Sequence, residues 1–229
     1  KKIMKQEITN KMINSKYKAT LKGVFLFELK SFLGRVFNNK QPKLDEKSNY
    51  LHLGCGTTHL ENYINADFFS CFKFWKKYKQ CPDWMLDFRF SMNCPDSVWD
   101  GVFTEHALEH LHPDQVLKIF LELNRTMKEG AVIRIVVPDL QQCVDRYQKQ
   151  DQEITGEGAS IIWDLTQNWM HLSVWDYELM GVFLQEAGFC NIKKVSYGRG
   201  RDENVIKDSP NRKTGSLYVE AEKRIGFVL

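Results

Sequence analysis

The run Tyr50-Leu51-His52-Leu53 ends in Gly54-Cys55-Gly56, and Asp67 closes a second run, Tyr63-Ile64-Asn65-Ala66. A short apolar segment, a Gly-X-Gly turn and a second strand-like segment ending in an acid leave few architectures open. The glycines let the backbone turn tightly and let a ligand approach main-chain N–H groups. An acid at the end of the second strand suits a bidentate hold on ribose hydroxyls. His59 stands where the dinucleotide fingerprint places its third glycine. The pattern therefore favours a nucleoside without a pyrophosphate.

The rest of the chain repeats the alternation. Trp84–Phe88, Ser97–Thr104 and Ala131–Val137 are strand-like, and the last is apolar throughout except for Arg134, as expected of a strand covered on both faces. Pro113–Met127 and Leu140–Gln150 show helical spacing, Glu129-Gly130 reads as a helix stop, and Asp176–Ala187 is a further helix. Phe189–Tyr197 and Ser216–Glu222 close the series as strands. Strands alternating with helices predict an α/β, doubly wound and mostly parallel sheet, in which ligands sit at the carboxyl ends of strands. Gly54, Gly56, Asp67, Asp87, Glu105, His106 and Asp139 all follow strand-like runs, so they converge on one edge.

With 229 residues, 43% of them hydrophobic and 27% charged, the chain has enough apolar material for one substantial core. We divide it into a helical arm and linker, 1–48, and a domain, 49–229. A net charge of +3 does not point to nucleic acid. The six cysteines form no C-x-x-C pair, which favours free thiols in a reducing cytoplasm. No membrane-spanning run or signal-peptide pattern is evident.

In the arm, Thr20–Phe37 places Leu21, Val24, Phe25, Phe32, Leu33 and Val36 at helical spacing among basic residues. A helix packing that stripe on the core or over the ligand is expected; peripheral membrane contact is the alternative. Phe68–Trp84 interleaves aromatics with lysines. An amphipathic helix is favoured there over single-stranded nucleic-acid binding.

Taken in order, Leu51-His52-Leu53-Gly54-Cys55-Gly56, Asp67, Leu86-Asp87-Phe88, Glu105-His106-Ala107-Leu108-Glu109-His110 and Val136-Val137-Pro138-Asp139-Leu140 resemble the class I S-adenosylmethionine-dependent methyltransferases of the methyltransferase type 11 kind. The resemblance extends to the branch associated with surface-glycan biosynthesis and covers about Asn49 to Lys223. It implies seven strands with an antiparallel C-terminal hairpin and S-adenosyl-L-methionine as cofactor. The binding set it implies is Gly54, Cys55, Gly56, Asp67, Asp87, Phe88 and Glu105, with Asp87 and Phe88 at the adenine. His171, Trp175, Arg201, Asp208 and Arg212 also resemble positions of the glycan-linked branch. The implied acceptor is a sugar or other small-molecule hydroxyl; a lipid or quinone acceptor, or a non-catalytic interaction module, are the competing readings.

A hydroxyl is a weak nucleophile and gains from a general base. His106 at a strand end is the first candidate and His171 the second, since imidazole titrates near neutrality. Trp163, Trp169, Trp175 and Tyr177 offer flat faces to a sugar. His106-Ala107-Leu108-Glu109-His110 also fits H-x-x-E-H, the inverted zinc-protease pattern, in which a helix would bring His106 and His110 to one face. No third ligand is recognisable in the sequence, so no metal is expected.

Overall fold

The computed structural model describes residues 21–37, 40–68, 82–149 and 158–226. The aromatic and lysine segment therefore lies mostly outside the described residues, as do the first twenty residues of the arm. Seven strands form one sheet: β1 Tyr50–Leu53, β2 Ile64–Asp67, β3 Trp84–Met85, β4 Trp99–Glu105, β5 Met127–Pro138, β6 Phe189–Val195 and β7 Ser216–Lys223. Their spatial order is β3-β2-β1-β4-β5-β7-β6. The first five run parallel; β7 is antiparallel to both β5 and β6. This is the expected α/β sheet with an antiparallel C-terminal pair.

Period-two alternation divides the side chains between the two faces. Leu51, Leu53, Val102, Ile133, Ile135, Val137, Leu217 and Val219 enter the main core. Two helices supply its other layer, α2 Pro113–Thr126 through Val116, Ile119, Phe120 and Leu123, and α5 Tyr177–Glu186 through Met180 and Leu184. Each helix starts on a sequence-visible signal. Pro113 occupies the first turn of α2, where its missing N–H costs nothing, and the Asp176 carboxylate accepts from Leu179 N at 2.8 Å to cap α5. The stop expected at Glu129-Gly130 is not where α2 ends: the helix finishes at Thr126, and Gly130 lies inside β5 with a φ of 74°.

The opposite face carries His52, Phe103, Arg134, Val136, Tyr218 and Glu220, packed beneath the 57–63 turns and the 196–215 loop. Arg134, the one charge in the β5 run, is fully buried. Its guanidinium donates to both Asp208 oxygens at 2.6 and 2.5 Å, to Glu220 Oε1 at 2.6 Å, and to the carbonyls of Arg199 and Ser196 at 3.0 and 3.1 Å. All five N–H donors are thereby used.

His52 is 4% exposed, and its Nδ1 lies 3.1 Å from Asn65 Oδ1. Burial pulls its pKa from 6.5 to about 4, with the Asn65 bond opposing. The unfolded chain takes up this proton as pH falls through 6.5, whereas the folded chain does not until about 4. The neutral imidazole's contribution to stability is thus lost progressively over that window. Urea unfolding at pH 7 and pH 5 should show wild type losing about 2 kcal/mol more than His52→Gln. Equal losses in the two proteins would remove His52 from the acid sensitivity.

The arm contributes α1, Leu21–Phe37. The helix is where the periodicity predicts it, but the face it docks is not the apolar stripe. Leu21, Phe25, Phe32 and Val36 are exposed, while Ser31 is fully buried. Ser31 Oγ donates to Asp87 Oδ2 at 2.5 Å, Glu28 pairs with Arg89 at 2.5 Å, and the Arg35 guanidinium lies 3.5 Å from the centre of the Phe90 ring. Polar anchors supplied by the 87–90 loop select the docking face. Among the described residues, no helix is long and apolar enough to cross a membrane.

Candidate active site

The Gly54–Gly56 turn hangs from β2, since the amides of Gly54 and Cys55 both donate to Ala66 O, at 2.9 and 3.1 Å. Gly54 has φ of 75°, and a Cβ there would come within 2.3 Å of Ala107 Cβ and 3.7 Å of the Phe88 ring. The glycine is required both by its left-handed backbone and by the close approach of the loop after β4. Gly56 differs: with φ of 52°, a Cβ built there would meet nothing within 4 Å. Its missing side chain leaves open space at the strand edge, and its N–H donates to Asp67 Oδ2 at 2.6 Å. Asp67 Oδ1 accepts from Phe68 N at 2.6 Å. Burial pushes the Asp67 carboxyl above its usual value, opposed by those two amides and by nearby His110. Cys55 is buried, and burial raises its thiol to about 12, which makes it a packing residue rather than a nucleophile.

Two of the residues expected around the cofactor are already engaged. Asp87 is 6% exposed, and its carboxylate accepts from Ser31 and from Arg89 Nη2 and Nε at 2.5, 2.8 and 3.0 Å. Burial would raise its pKa, but the bonds from Arg89 and Ser31 outweigh burial and hold the carboxyl below the usual range. An adenine amine would have to compete with these donors, so Asp87 anchors α1 and the 87–90 loop. Glu105 accepts from Ser209 N at 3.0 Å and from the Ser209 hydroxyl, tying the 196–215 loop to the end of β4. Asp139 is likewise consumed as the N-cap of α3, Leu140–Gln148, accepting from Gln141 N at 3.0 Å.

Next to the turn, beyond the ends of β4 and β5, lies a cavity of about 400 Å³. His106, Glu109, His171, Trp163, Trp169 and Arg212 are among its walls. The H-x-x-E-H alternative required a helix through 106–110; instead His106 has φ of 50° and a single 3₁₀ turn, Leu108–His110, follows. His106 and His110 are therefore not one-turn neighbours on a shared helical face. The imidazole of His106 places Nε2 3.0 Å from Ser216 Oγ and Nδ1 3.3 Å from Glu109 Oε1. The second contact stops short of a hydrogen bond, and neither Glu109 oxygen has a completed one among the described residues. It acts through charge. Burial raises the pKa of Glu109, yet His106 and His110 more than offset it and hold the carboxyl below its usual range.

His171 arrives from far along the chain. Leu172 N and Ser173 N both donate to Glu109 O, at 2.7 and 3.1 Å, and so place the histidine over the carboxylate. Its Nδ1 contacts Leu165 O at 2.6 Å, which assigns the proton to Nδ1 and leaves Nε2 as an acceptor. Burial lowers its pKa, opposed by the Leu165 contact and Glu109. Both expected histidines thus reach one cavity, and Glu109, which the sequence marks only as the acid of the H-x-x-E-H pattern, joins them. Of the aromatics, Trp163, at the end of the short α4, Ser160–Trp163, and Trp169 line the cavity, and Trp175 is buried in the core. The Tyr177 hydroxyl donates to Ile192 O at 3.2 Å, away from the site. Arg201 pairs with Glu222, and Asp208 with Arg134.

No protein-family model matches the chain, and no curated protein matches it. Among solved structures, a SAM-dependent methyltransferase of Thermotoga maritima, described as a possible histamine N-methyltransferase, aligns with a TM-score of 0.51 and 13% identity over 96% of this chain and all of its own. A SAM-dependent methyltransferase of Archaeoglobus fulgidus aligns at 18% identity over 93% of this chain and 98% of its own, with a TM-score of 0.49. The fold is that of the class I methyltransferases.

Proposed function

We propose that the chain is an S-adenosylmethionine-dependent methyltransferase that acts on the hydroxyl of a small molecule, with a sugar or sugar-bearing compound as the preferred class. The observation that carries the reading is the open space at Gly56. A bare backbone turn and an acid at the end of β2 stand at the same ends of the parallel strands as a cavity flanked by histidines and tryptophans, joined to it through the approach of Gly54 to Ala107. The named relatives of this fold are methyltransferases, which supports the cofactor. Gly54 and Gly56 would let it lie against the backbone, Asp67 would hold the ribose hydroxyls and Phe88 would flank the base. S-adenosylmethionine supplies an electrophilic methyl group on a sulfonium. The protein's task is then to place the acceptor oxygen in line and take its proton.

His106 is placed for that proton. The Glu109 charge favours the imidazole proton on Nδ1, leaving the Nε2 lone pair that now faces the Ser216 hydroxyl. An acceptor hydroxyl entering the cavity would take up that lone pair. Trp163 and Trp169 offer ring faces to a pyranose, and Arg212 a charge for its polar edge.

Titration calorimetry with S-adenosylmethionine and with its demethylated product tests the reading. Both should bind. Asp67→Ala should weaken them by about 1–3 kcal/mol, the range of a hydrogen bond to a charged group. Gly56→Val should abolish binding, because its side chain would fill the open space. Normal affinity in a folded Gly56→Val protein would place the cofactor elsewhere, and absent binding in the wild type would refute the function.

A further inference from the structure

Between Glu109, His110 and His171 the structure leaves acceptors facing one another. Glu109 is 1% exposed, and neither of its carboxylate oxygens completes a hydrogen bond among the described residues, the nearest nitrogen on its other side being His106 Nδ1 at 3.3 Å from Oε1. Its Oε1 lies 3.9 Å from His171 Nε2. That nitrogen carries a lone pair, because Nδ1 is committed to Leu165 O. His110 completes the group, its ring 5.0 Å from that of His171 and nearly perpendicular to it, and one ligand atom from each of the three residues lies within 4.8 Å of the others. A buried carboxylate opposite an imidazole lone pair is costly unless a cation stands between them.

We propose that Glu109, His110 and His171 bind one divalent transition-metal ion, zinc first among them, in the wall of the cavity. Two imidazoles and one carboxylate are a zinc donor set that leaves a fourth position for water or an oxygen ligand. A histidine that donates its distal N–H to a backbone carbonyl while presenting the other nitrogen is oriented as metal-bound histidines are, and the His171–Leu165 contact provides that arrangement. Ligands ~2.0–2.1 Å from a tetrahedral ion stand ~3.3 Å apart, so side-chain rotations of about an ångström would close the group. His110, on the outer side, gives the ion a way in, since it is exposed while Glu109 is buried. His106 faces the same carboxylate and would support it without ligating.

The site does not depend on the proposed function. If both hold, His171 is occupied by the ion and cannot be the base, which leaves that role to His106. The ion's open position would then face the acceptor oxygen.

The test uses the whole 229-residue chain without a tag, stripped with a chelator and dialysed against Zn²⁺ and, separately, Co²⁺. Metal analysis should find about one equivalent of Zn²⁺, and the Co²⁺ form should show the visible absorption bands of a histidine-bound ion. His110→Ala and His171→Ala should each weaken binding at least ~10-fold and change those bands. His112→Ala, which removes an exposed histidine outside the group, should change neither. His110→Ala is the safer variant for folding, because its side chain is exposed; circular dichroism would verify each protein. Failure of the folded wild type to retain either ion would overturn the site, leaving a proton in the gap. Retention undiminished by the His110 and His171 variants would overturn it equally. Calorimetry with S-adenosylmethionine on the same protein separates the two readings: cofactor binding by a protein that takes up neither ion removes the site alone, and ion uptake without cofactor binding removes the function alone.

Discussion

His106→Asn should keep the fold and the cofactor affinity while lowering methyl transfer to a hydroxyl acceptor by ~10²–10⁴-fold, the usual contribution of a positioned general base. Asparagine occupies much of the space of imidazole and can still bond Ser216, so the backbone of the loop after β4 should be preserved. Turnover is read as release of the demethylated cofactor, beside calorimetry on the same protein. A near-normal rate would exclude His106. A loss confined to His171→Asn, with His106→Asn silent, would exclude His106 and leave His171 acting either as the base or through the proposed ion, which the metal analysis of the same variant separates.

Arg134→Met carries the largest expected stability change. It leaves Asp208 and Glu220 as buried carboxylates without their cation, and such a break typically costs about 3–5 kcal/mol. Urea unfolding should report it. Adding Asp208→Asn and Glu220→Gln to the methionine variant should return part of the loss, because the stranded charges are then gone. A loss under about 1 kcal/mol would mean that the carboxylates find water or protons at little cost. Asp208 adjoins Ser209, which binds Glu105, and the same loop carries Arg212 to the cavity. The substitution should therefore disturb the acceptor wall before the protein unfolds.

The strand ends were legible because parallel strands covered on both faces must be short apolar runs that stop at special residues. Gly54, Gly56 and Asp67 come together as their spacing implies. The docking face of α1 was not legible. Periodicity identifies an apolar stripe, but which face docks depends on Asp87, Arg89 and Phe90, which are distant in sequence. The helix that the H-x-x-E-H pattern would need at 106–110 is absent for a local reason. Spacing by four implies a shared face only on a helix, and the left-handed His106 together with Pro113 confines the helical turn to three residues and starts the true helix later. Glu109 gave no sign of its burial, because the segment that covers it, 171–173, belongs to a loop with no motif of its own. A third ligand for the histidine pattern could not be found by spacing, since His171 is brought in by backbone bonds to Glu109.

The interlock of Gly54 with Ala107 makes the two halves of the site thermodynamically answerable to each other. One side of that contact is the turn against which a cofactor would rest; the other begins the loop that carries Glu109 and His110. No slack separates them, so an arrangement of the loop that suits an ion or an acceptor also sets the geometry of the turn. Whatever factor a guest in the cavity applies to affinity at the turn, the guest at the turn must apply in return.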